Sequence, residues 1–268
     1  MATITLLTDF GNDDEFVGVM KGAILSVNPS ATIIDITHRV DPQDIVQAAY
    51  LIPSYYKYFP KGTVHIIVVD PGVGSDRSII ALEIKDHIFL APDNGVLSLL
   101  LDSGDIDAAV NVHNSIYFLT PVSQTFHGRD IFAPVGAHLS LGVEISKMGT
   151  PIVQGELLRL RIPKPHLTDA GELMGAIISF DRFGNLVTNI KLDDINEFCG
   201  PHPGSKPIFE IGKSRIEGLS KSYQSAGLET PLALIGSRGY LEIAVNRSNA
   251  QQRFRVEKMD PIRVILAK

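Results

Sequence analysis

The sequence predicts an N-terminal α/β domain with a doubly wound, largely parallel sheet, followed by a small C-terminal β-barrel domain. Apolar runs rich in β-branched residues alternate with segments of helical spacing through the first part of the chain, as in a doubly wound sheet. Beyond Arg161 the helical spacing fades, and short apolar runs alternate with turn residues. The proline-containing stretch 162–166 separates the two patterns. We therefore predict domains at 1–163 and 164–268.

The predicted N-terminal elements begin with a strand at 3–8 that leads into an acidic loop. Apolar residues at helical spacing then predict a helix over 16–27, which Asn28-Pro29 ends. The elements that follow are a strand at 31–36, a helix at 45–56, strands at 64–69, 78–84 and 87–91, a short helix within 95–101 and a buried helix at 131–141.

The predicted C-terminal elements are short strands. They fall at 172–180, 186–191, 208–211, 232–235, 241–245 and 261–266. Turn residues separate these strands, and this spacing is typical of a small barrel or sandwich.

Composition excludes several classes of protein. The chain has 268 residues and 44% hydrophobic content, enough to bury a full core. A net charge of -6 argues against nucleic acid as the main partner. Cys199 is the only cysteine, so neither an intrachain disulfide nor a cysteine-based metal site can form. The N-terminus lacks a basic signal region and no apolar run could span a bilayer, so we expect a soluble cytoplasmic protein.

The stretch from Val64 to Arg77 holds the first candidate site. A β-branched run ends at Asp70, and a loop containing Gly72 and Gly74 follows. Such a run predicts a central parallel strand, and ligands bind at the carboxyl edge of these sheets. The glycines would let the main chain approach a ligand closely. In the alternative interpretation, Asp70 only starts a turn.

Acidic residues also suggest a metal site. Asp9, Asp13, Asp14 and Asp70 lie in loops predicted to follow neighbouring strands, and clustered carboxylates suit hard cations. Metal-dependent nucleoside hydrolases have a similar acidic loop after their first strand. The first carboxylate of that pattern falls here at Leu7, which cannot bind a metal. We therefore expect no metal site.

Two further clusters have both a chemical and a structural interpretation. His127 could be a base, a hydrogen-bond donor or a capped loop residue. In the C-terminal domain, Phe183 and Asn185, and likewise Ser237 and Arg238, stand beside glycines. Such groups could stack on a base and hold a carboxylate, although the same residues are common in turns.

Six segments, found in one order from end to end, resemble a known family. They are Leu7-Thr8-Asp9-Phe10-Gly11 with Asp14, Asp35-Ile36-Thr37-His38 with Pro42-Gln43-Asp44, Val69-Asp70-Pro71-Gly72-Val73-Gly74 with Arg77, Ala91-Pro92-Asp93-Asn94-Gly95, Thr125-Phe126-His127-Gly128-Arg129-Asp130, and the pair Phe183-Gly184-Asn185 and Ser237-Arg238-Gly239-Tyr240-Leu241. Together they resemble the S-adenosylmethionine hydroxide adenosyltransferase family, relatives of fluorinating and chlorinating enzymes that use the same substrate. The resemblance implies a homotrimer, with active sites between the N-terminal domain of one subunit and the C-terminal domain of its neighbour.

The resemblance also implies roles for single residues. The catalytic Asp, Arg and His of the family fall on Asp70, Arg77 and His127. Halogenating relatives have Tyr at the first of these positions and lack His at the last, so the sequence resembles the water-using branch. The implied reaction is hydrolysis of S-adenosyl-L-methionine to adenosine and methionine, without cofactor or metal.

The implied substrate-binding residues come from both domains. They are Asp9 at the ribose hydroxyls, Asp14 and Asp181 at the methionine ammonium, Ser237 and Arg238 at its carboxylate, Phe183, Asn185 and Tyr223 around the adenine, and Phe126 and Gly128 beside the catalytic histidine. Two features depart from the pattern of the halogenating relatives: Phe16 replaces a serine near the methionine, and the Asp181 loop is one residue shorter.

Three alternatives stand beside the hydrolase. A non-catalytic sensor would bind S-adenosylmethionine or adenosine, but would have no need of a polar triad at the reacting carbon. A metal-dependent nucleoside hydrolase would depend on a divalent cation. A chloride-using member of the same family is disfavoured by the negative charge of Asp70.

Overall fold

A computed structural model describes residues 2–102, 104, 106–201 and 204–267. Two compact units make up the chain, divided between Leu160 and Arg161. This division lies close to the predicted domain boundary between residues 163 and 164. The exact position of that boundary stays a prediction.

The N-terminal unit has α/β architecture. Its strands are β1 (Thr3–Thr8), β2 (Thr32–Thr37), β3 (Val64–Val68), β4 (Ile79–Ile84), β5 (His87–Pro92), β6 (Ala108–Val112) and β7 (Gly149–Pro151). Its helices are α1 (Phe16–Val27), α2 (Ile45–Tyr55), α3 (Ser98–Leu101) and α4 (Ala133–Ser140). The sheet order is β2-β1-β3-β5-β4-β6-β7. Helices α1 and α4 pack in one apolar cluster and α2 and α3 in another, on opposite faces of the sheet, so the doubly wound α/β prediction is confirmed.

One half of this sheet is parallel and the other half is antiparallel. Strands β2, β1, β3 and β5 run parallel, whereas β4, β6 and β7 pair antiparallel to their neighbours. The change occurs at a two-residue turn, Lys85-Asp86, whose φ angles are 51° and 64°. Positive φ at both positions matches the twist of a tight hairpin. This hairpin was not predicted, because Lys-Asp is not a usual residue pair for such a turn.

Strand β3 lies in the middle of the sheet, and all five of its residues are buried. This agrees with the continuous apolar run in the sequence. Thr8 at the end of β1 pairs with Val68 at the end of β3. The loops that carry Asp9 and Asp70 therefore leave the same edge of the sheet.

The C-terminal unit is an antiparallel barrel-like sheet. Its strands are β8 (His166–Leu167), β9 (Leu173–Phe180), β10 (Leu186–Lys191), β11 (Pro207–Ile211), β12 (Ser214–Glu217), β13 (Pro231–Ile235), β14 (Tyr240–Val245) and β15 (Pro261–Leu266), and its helices are α5 (Leu192–Cys199) and α6 (Ala250–Phe254). The order is β12-β11-β15-β9-β10-β14-β13, with β8 paired to β9. Its end strands, β12 and β13, lie beside each other, so the sheet nearly closes and the predicted barrel is confirmed.

Helix α5 was not predicted, although its first turn carries a signal. Asp193 and Asp194 favour a helix N-terminus, where the helix dipole stabilises negative charge. The carboxylate of Asp194 also accepts the main-chain N–H of Lys191 at 2.6 Å. The apolar spacing is too short to reveal a helix of eight residues.

Two buried histidines, His65 on β3 and His87 on β5, lie on neighbouring strands in the middle of the N-terminal sheet. His65 is fully buried on β3, with Nδ1 2.8 Å from Thr5 Oγ1 and Nε2 3.1 Å from His87 Nδ1. Its ring stacks on Phe89, with 4.8 Å between ring centres. Burial and, next, the charge of His87 lower the pKa of His65 to about 3. The folded state therefore keeps this ring neutral at physiological pH.

We expect the buried His65 to make the fold sensitive to acid. An unfolded histidine titrates at about 6.5, so the stability from a neutral His65 is complete above that pH and is lost as the pH falls towards the lowered folded pKa. Urea unfolding of wild type and His65→Gln tests this. Between about pH 7.5 and 4.5, the wild type should lose about 2 to 3 kcal/mol more than the variant. Parallel curves for the two proteins would contradict the expectation.

Candidate active site

Asp70, Arg77 and His127 form one hydrogen-bonded cluster. Arg77 Nε lies 2.9 Å from Oδ1 and 2.8 Å from Oδ2 of Asp70, and Arg77 Nη2 also contacts Oδ2. The same Nη2 lies 2.9 Å from Nδ1 of His127. The side chains of Arg77 and Asp70 are only 10% and 4% exposed. Charge-assisted contacts of this kind fix the geometry of both groups.

The arginine determines which nitrogen of His127 carries the proton. A guanidinium has donors and no acceptor, so Nδ1 of His127 must accept this hydrogen bond. The proton of the neutral ring then lies on Nε2. Burial and, next, the charge of Arg77 lower the pKa of His127, while Asp70, Asp130 and the main chain of Ser123 oppose the shift. His127 is therefore neutral at pH 7, with an Nε2–H donor.

The segment 91–95 contacts the end of the strand that leads to Asp70. Asn94 Nδ2 donates to the main-chain carbonyl of Val69 at 2.9 Å, and Asn94 Oδ1 accepts the N–H of Val96 at 3.1 Å. The side chain of Asn94 thus ties the end of the central strand to the next loop, directly before Asp70. These hydrogen bonds give Asn94, within the segment 91–95, a structural role in the N-terminal unit.

Gly74 joins the loop of Asp70 to the loop of His127. Its φ is +78°, and a Cβ placed on it would overlap the main-chain carbonyl oxygen of Gln124. The close approach expected of this glycine towards a ligand is therefore made towards the protein's own main chain. Only a residue without a side chain lets the two loops meet at this distance.

Asp130 organises the chain around His127. Its side chain is buried, and Oδ2 accepts the N–H of Ser123 at 2.8 Å while Arg129 Nε lies 2.6 Å from Oδ1. Burial raises the pKa of Asp130, but the hydrogen bonds from Arg129 and Ser123 outweigh it and hold the pKa below its usual value. A π-helical turn, Gly128–Phe132, starts directly after His127. No role for Asp130 was predicted, because its burial cannot be seen in the sequence.

The Asp9 loop follows β1 at the same sheet edge. Gln43 N–H donates to Asp9 Oδ2 at 2.8 Å. Asp14 is exposed, and the ring centre of Phe16 lies 5.1 Å from that of Phe126. Phe16, the residue that departs from the halogenating pattern, therefore packs against the segment that carries His127 and Gly128.

In the C-terminal unit, four predicted residues line one cleft of about 570 Å³. They are Asp181, Phe183, Asn185 and Tyr223, and residues 245–248 complete the lining together with Gln224. Phe183 is 76% exposed, so its ring can stack on a flat ligand.

The carboxylate of Asp181 is engaged by its own loop. It accepts the N–H groups of Phe183 at 2.8 Å and Asn185 at 2.9 Å, and the Asn185 side-chain amide at 2.8 Å. Asp181 thus fixes the orientation of the Asn185 amide. Its expected role at a methionine ammonium stays a prediction, as do the carboxylate contacts of Ser237 and Arg238.

Glu242 contacts a predicted site residue, and no role for it was predicted from the sequence. Its side chain is buried on β14 and accepts the Tyr223 hydroxyl at 2.9 Å. Burial and this hydrogen bond raise the pKa of Tyr223 to about 12. A Cβ on Gly236 would overlap the Glu242 carboxylate, so Glu242 also lies against the turn that carries Ser237 and Arg238. A lone glutamate in an apolar strand was the available signal.

Two structural findings concern metal ions and membranes. Within the described ranges, no group of three or more histidine, cysteine or acidic residues lies close enough to hold a metal ion. The expected lack of a metal requirement stays a prediction. No helix in the described part of the chain is long and apolar enough to cross a membrane.

A carboxylate, a guanidinium and an imidazole, hydrogen-bonded to one another at the carboxyl edge of an α/β sheet, are typical of an enzyme that acts on a small molecule. The chain belongs to the SAM (S-adenosylmethionine) hydroxide adenosyltransferase family. The family's sequence model for the SAM hydroxide adenosyltransferase N-terminal domain matches residues 4–149, and the family's model for the C-terminal domain matches residues 175–263.

Relatives agree with this assignment over the whole chain. A Thermus thermophilus protein named (R)-S-adenosyl-L-methionine hydrolase is 32% identical, with 99% of this chain and 100% of the relative covered. A fluorinase from an Actinoplanes species is 29% identical, covering 91% and 90%. The crystal structure of an uncharacterized conserved protein from Thermotoga maritima superposes with a TM-score of 0.89 at 35% identity, covering 97% and 99%.

Proposed function

We propose that this protein hydrolyses S-adenosyl-L-methionine to adenosine and L-methionine. The observation that carries the proposal is the Asp70-Arg77-His127 cluster, because the three residues with implied chemical roles form one partly buried hydrogen-bonded group. The four relatives named (R)-S-adenosyl-L-methionine hydrolase, at 32% to 34% identity, support it.

The reaction is a substitution at C5′ of the ribose. The oxygen of a water molecule forms the new bond to C5′ while the C5′–S bond breaks and its electron pair goes to sulfur. The positive sulfonium leaves as a neutral thioether, so the leaving group needs no proton. The attacking water loses one proton, and the protein must accept it.

We assign these tasks to the cluster as follows. Asp70 accepts the proton or polarises the water, and Arg77 holds the carboxylate in place. His127 orients the water, so that a lone pair of its oxygen points at C5′. General-base assistance contributes about 10²- to 10⁴-fold. Alignment of water and C5′ contributes about 7 to 11 kcal/mol, so positioning is the larger effect.

The assembly is also part of the proposal. The resemblance implies a homotrimer in which the N-terminal residues of one subunit and the C-terminal residues of a neighbour complete each site. Sedimentation of the purified protein would give the mass of the assembly. A monomer with full activity would contradict this part of the proposal.

An isotope experiment tests the reaction. Purified protein is incubated with S-adenosylmethionine in ¹⁸O-water, with and without EDTA, and the products are analysed by mass spectrometry. We expect adenosine with ¹⁸O at C5′ together with methionine, unaffected by EDTA. Intact substrate that binds would favour the sensor, and adenine released only with a divalent cation would favour a nucleoside hydrolase.

The activity should follow the protonation of His127. Because its pKa is lowered, the neutral ring persists below the ordinary histidine value of 6.5. We therefore expect kcat to stay constant from about pH 8 to 6.5 and to fall only at lower pH, where protonation of Nδ1 breaks the Arg77 hydrogen bond. His127→Gln keeps a donor but cannot titrate, so its acidic limb should be missing. An unchanged limb in this variant would assign the titration to another group.

A further inference from the structure

The loop after β2 has no part in the chemistry above, yet it contacts the Asp9 loop at three points. His38 is buried, and its Nδ1 lies 2.9 Å from Thr8 Oγ1. The main-chain carbonyl of His38 accepts the N–H of Gly11 at 2.7 Å. Gln43 N–H donates to Asp9 Oδ2 at 2.8 Å. This loop therefore holds Asp9 from both sides and at the carboxylate.

The side-chain contacts form a chain that runs from Lys21 to the Asp9 loop. Lys21 Nζ lies 2.5 Å from Asp35 Oδ2, and His38 Nε2 lies 3.0 Å from Asp35 Oδ1, a close polar contact that lacks hydrogen-bond geometry. On the other side of the ring, Nδ1 of His38 is hydrogen-bonded to the Thr8 hydroxyl at 2.9 Å. Thr8 Oγ1 also accepts the N–H of Phe10 at 3.2 Å, so the hydroxyl touches the main chain on the far side of Asp9.

We infer that His38 is a positioning residue for the ribose of the substrate, acting on Asp9 through the Thr8 hydroxyl. The inference rests on the proposed function, in which Asp9 binds the ribose hydroxyls. Asp35, paired with Lys21, lies at one edge of the imidazole and Thr8 at the other, so the ring is held between them. Thr8 is fully buried and precedes Asp9 directly, so a shift of its hydroxyl moves the carboxylate.

A pair of ligands separates this role from a purely structural one. Adenosine and 2′-deoxyadenosine differ by one ribose hydroxyl, and the ratio of their Kd values, measured by calorimetry, reports the hold of Asp9 on the ribose. We expect wild type to prefer adenosine by about tenfold or more, as one charge-assisted hydrogen bond provides. Thr8→Val should reduce the preference to about threefold or less, whereas Thr8→Ser, which keeps the hydroxyl, should retain it.

Thr5→Val is the matched control. Thr5 is fully buried on the same strand, and its hydroxyl lies 2.8 Å from a ring nitrogen of His65. This variant also loses a buried Thr–His hydrogen bond. That bond joins strand β1 to β3 at Thr5, four residues before Asp9, and does not contact the loop that carries Asp9. The Kd ratio should therefore stay at the wild-type value. An unchanged ratio in Thr8→Val, an equal loss in Thr5→Val, or no preference in wild type would overturn the inference.

This readout is independent of turnover. If wild type binds adenosine with the expected preference but releases none from S-adenosylmethionine, the proposed hydrolysis fails and the positioning role of His38 stands. If hydrolysis occurs and the ratio does not respond to Thr8→Val, the positioning role fails alone. His38→Gln provides a second variant, in which loss of the Thr8 contact should lower the ratio as Thr8→Val does.

Discussion

Asp70→Asn should lower kcat by about 10²- to 10⁴-fold, the range of a lost general base, and change the affinity for S-adenosylmethionine much less. The amide keeps the size of the carboxylate and one acceptor oxygen, but it has no charge to pair with Arg77 and cannot take a proton from water. Binding contacts to adenine, ribose and methionine are left intact. Single-turnover rates with saturating substrate, together with calorimetric Kd values, measure the two effects separately.

The matched control for this prediction is Asp93→Asn. Asp93 lies in the loop after β5, where its Oδ1 accepts the N–H of Leu158 at 3.0 Å. Burial raises the pKa of Asp93, so it is another partly buried carboxylate of the same unit. An asparagine can still accept that hydrogen bond, and kcat should stay close to wild type. If Asp70→Asn weakens binding as much as it lowers kcat, Asp70 binds substrate and is not the base.

The stability of the Asp70 variant needs its own measurement. Removing one partner of a nearly buried ion pair leaves Arg77 uncompensated, which costs about 3 to 5 kcal/mol in comparable cases. A thermal melt therefore has to show that the variant is folded at the assay temperature. A folded variant with low kcat places the loss in the chemical step.

Local sequence patterns predicted the strand that positions Asp70, but not the contact between the loops of Arg77 and His127. The apolar run that ends at Val69 predicted a buried strand, and Asp70 does lie at its carboxyl edge. Periodicity says which face of an element is buried, but nothing about which loops meet. The contact of Arg77 with His127 joins residues 50 positions apart, and it was expected only from the resemblance to a family.

The features that were missed share a physical reason. Asp130, Glu242 and the Gly74 contact each depend on a neighbour that is distant in the sequence or on the exact path of the main chain. A buried acid looks like a surface acid until its donor is known. A glycine looks like any turn residue until the opposing carbonyl is seen.

Gly74→Ala should lower kcat by about 10- to 100-fold without touching a chemical group, because a shift of about 1 Å at reacting groups costs up to about 10²-fold. The added methyl would overlap the Gln124 carbonyl, so the Asp70 loop and the His127 loop must move apart. The hydrogen bond between Arg77 and His127 spans these loops and would lengthen. The measurement is kcat at saturating substrate, with far-ultraviolet circular dichroism to verify folding.

Two glycine variants separate this steric effect from backbone strain. Gly62 has a φ of +81° with no atom within 4 Å of an added Cβ, so Gly62→Ala introduces comparable strain without a clash. Gly142, which follows α4, has a φ of +89° and likewise no atom within 4 Å of an added Cβ, so Gly142→Ala is a second variant with strain but no clash. Both controls should keep kcat within about threefold of wild type, since neither moves the two loops apart. If Gly62→Ala loses as much activity as Gly74→Ala, general strain explains the loss. If Gly74→Ala alone is impaired, the close contact between Gly74 and Gln124 sets the geometry of the Asp70-Arg77-His127 cluster.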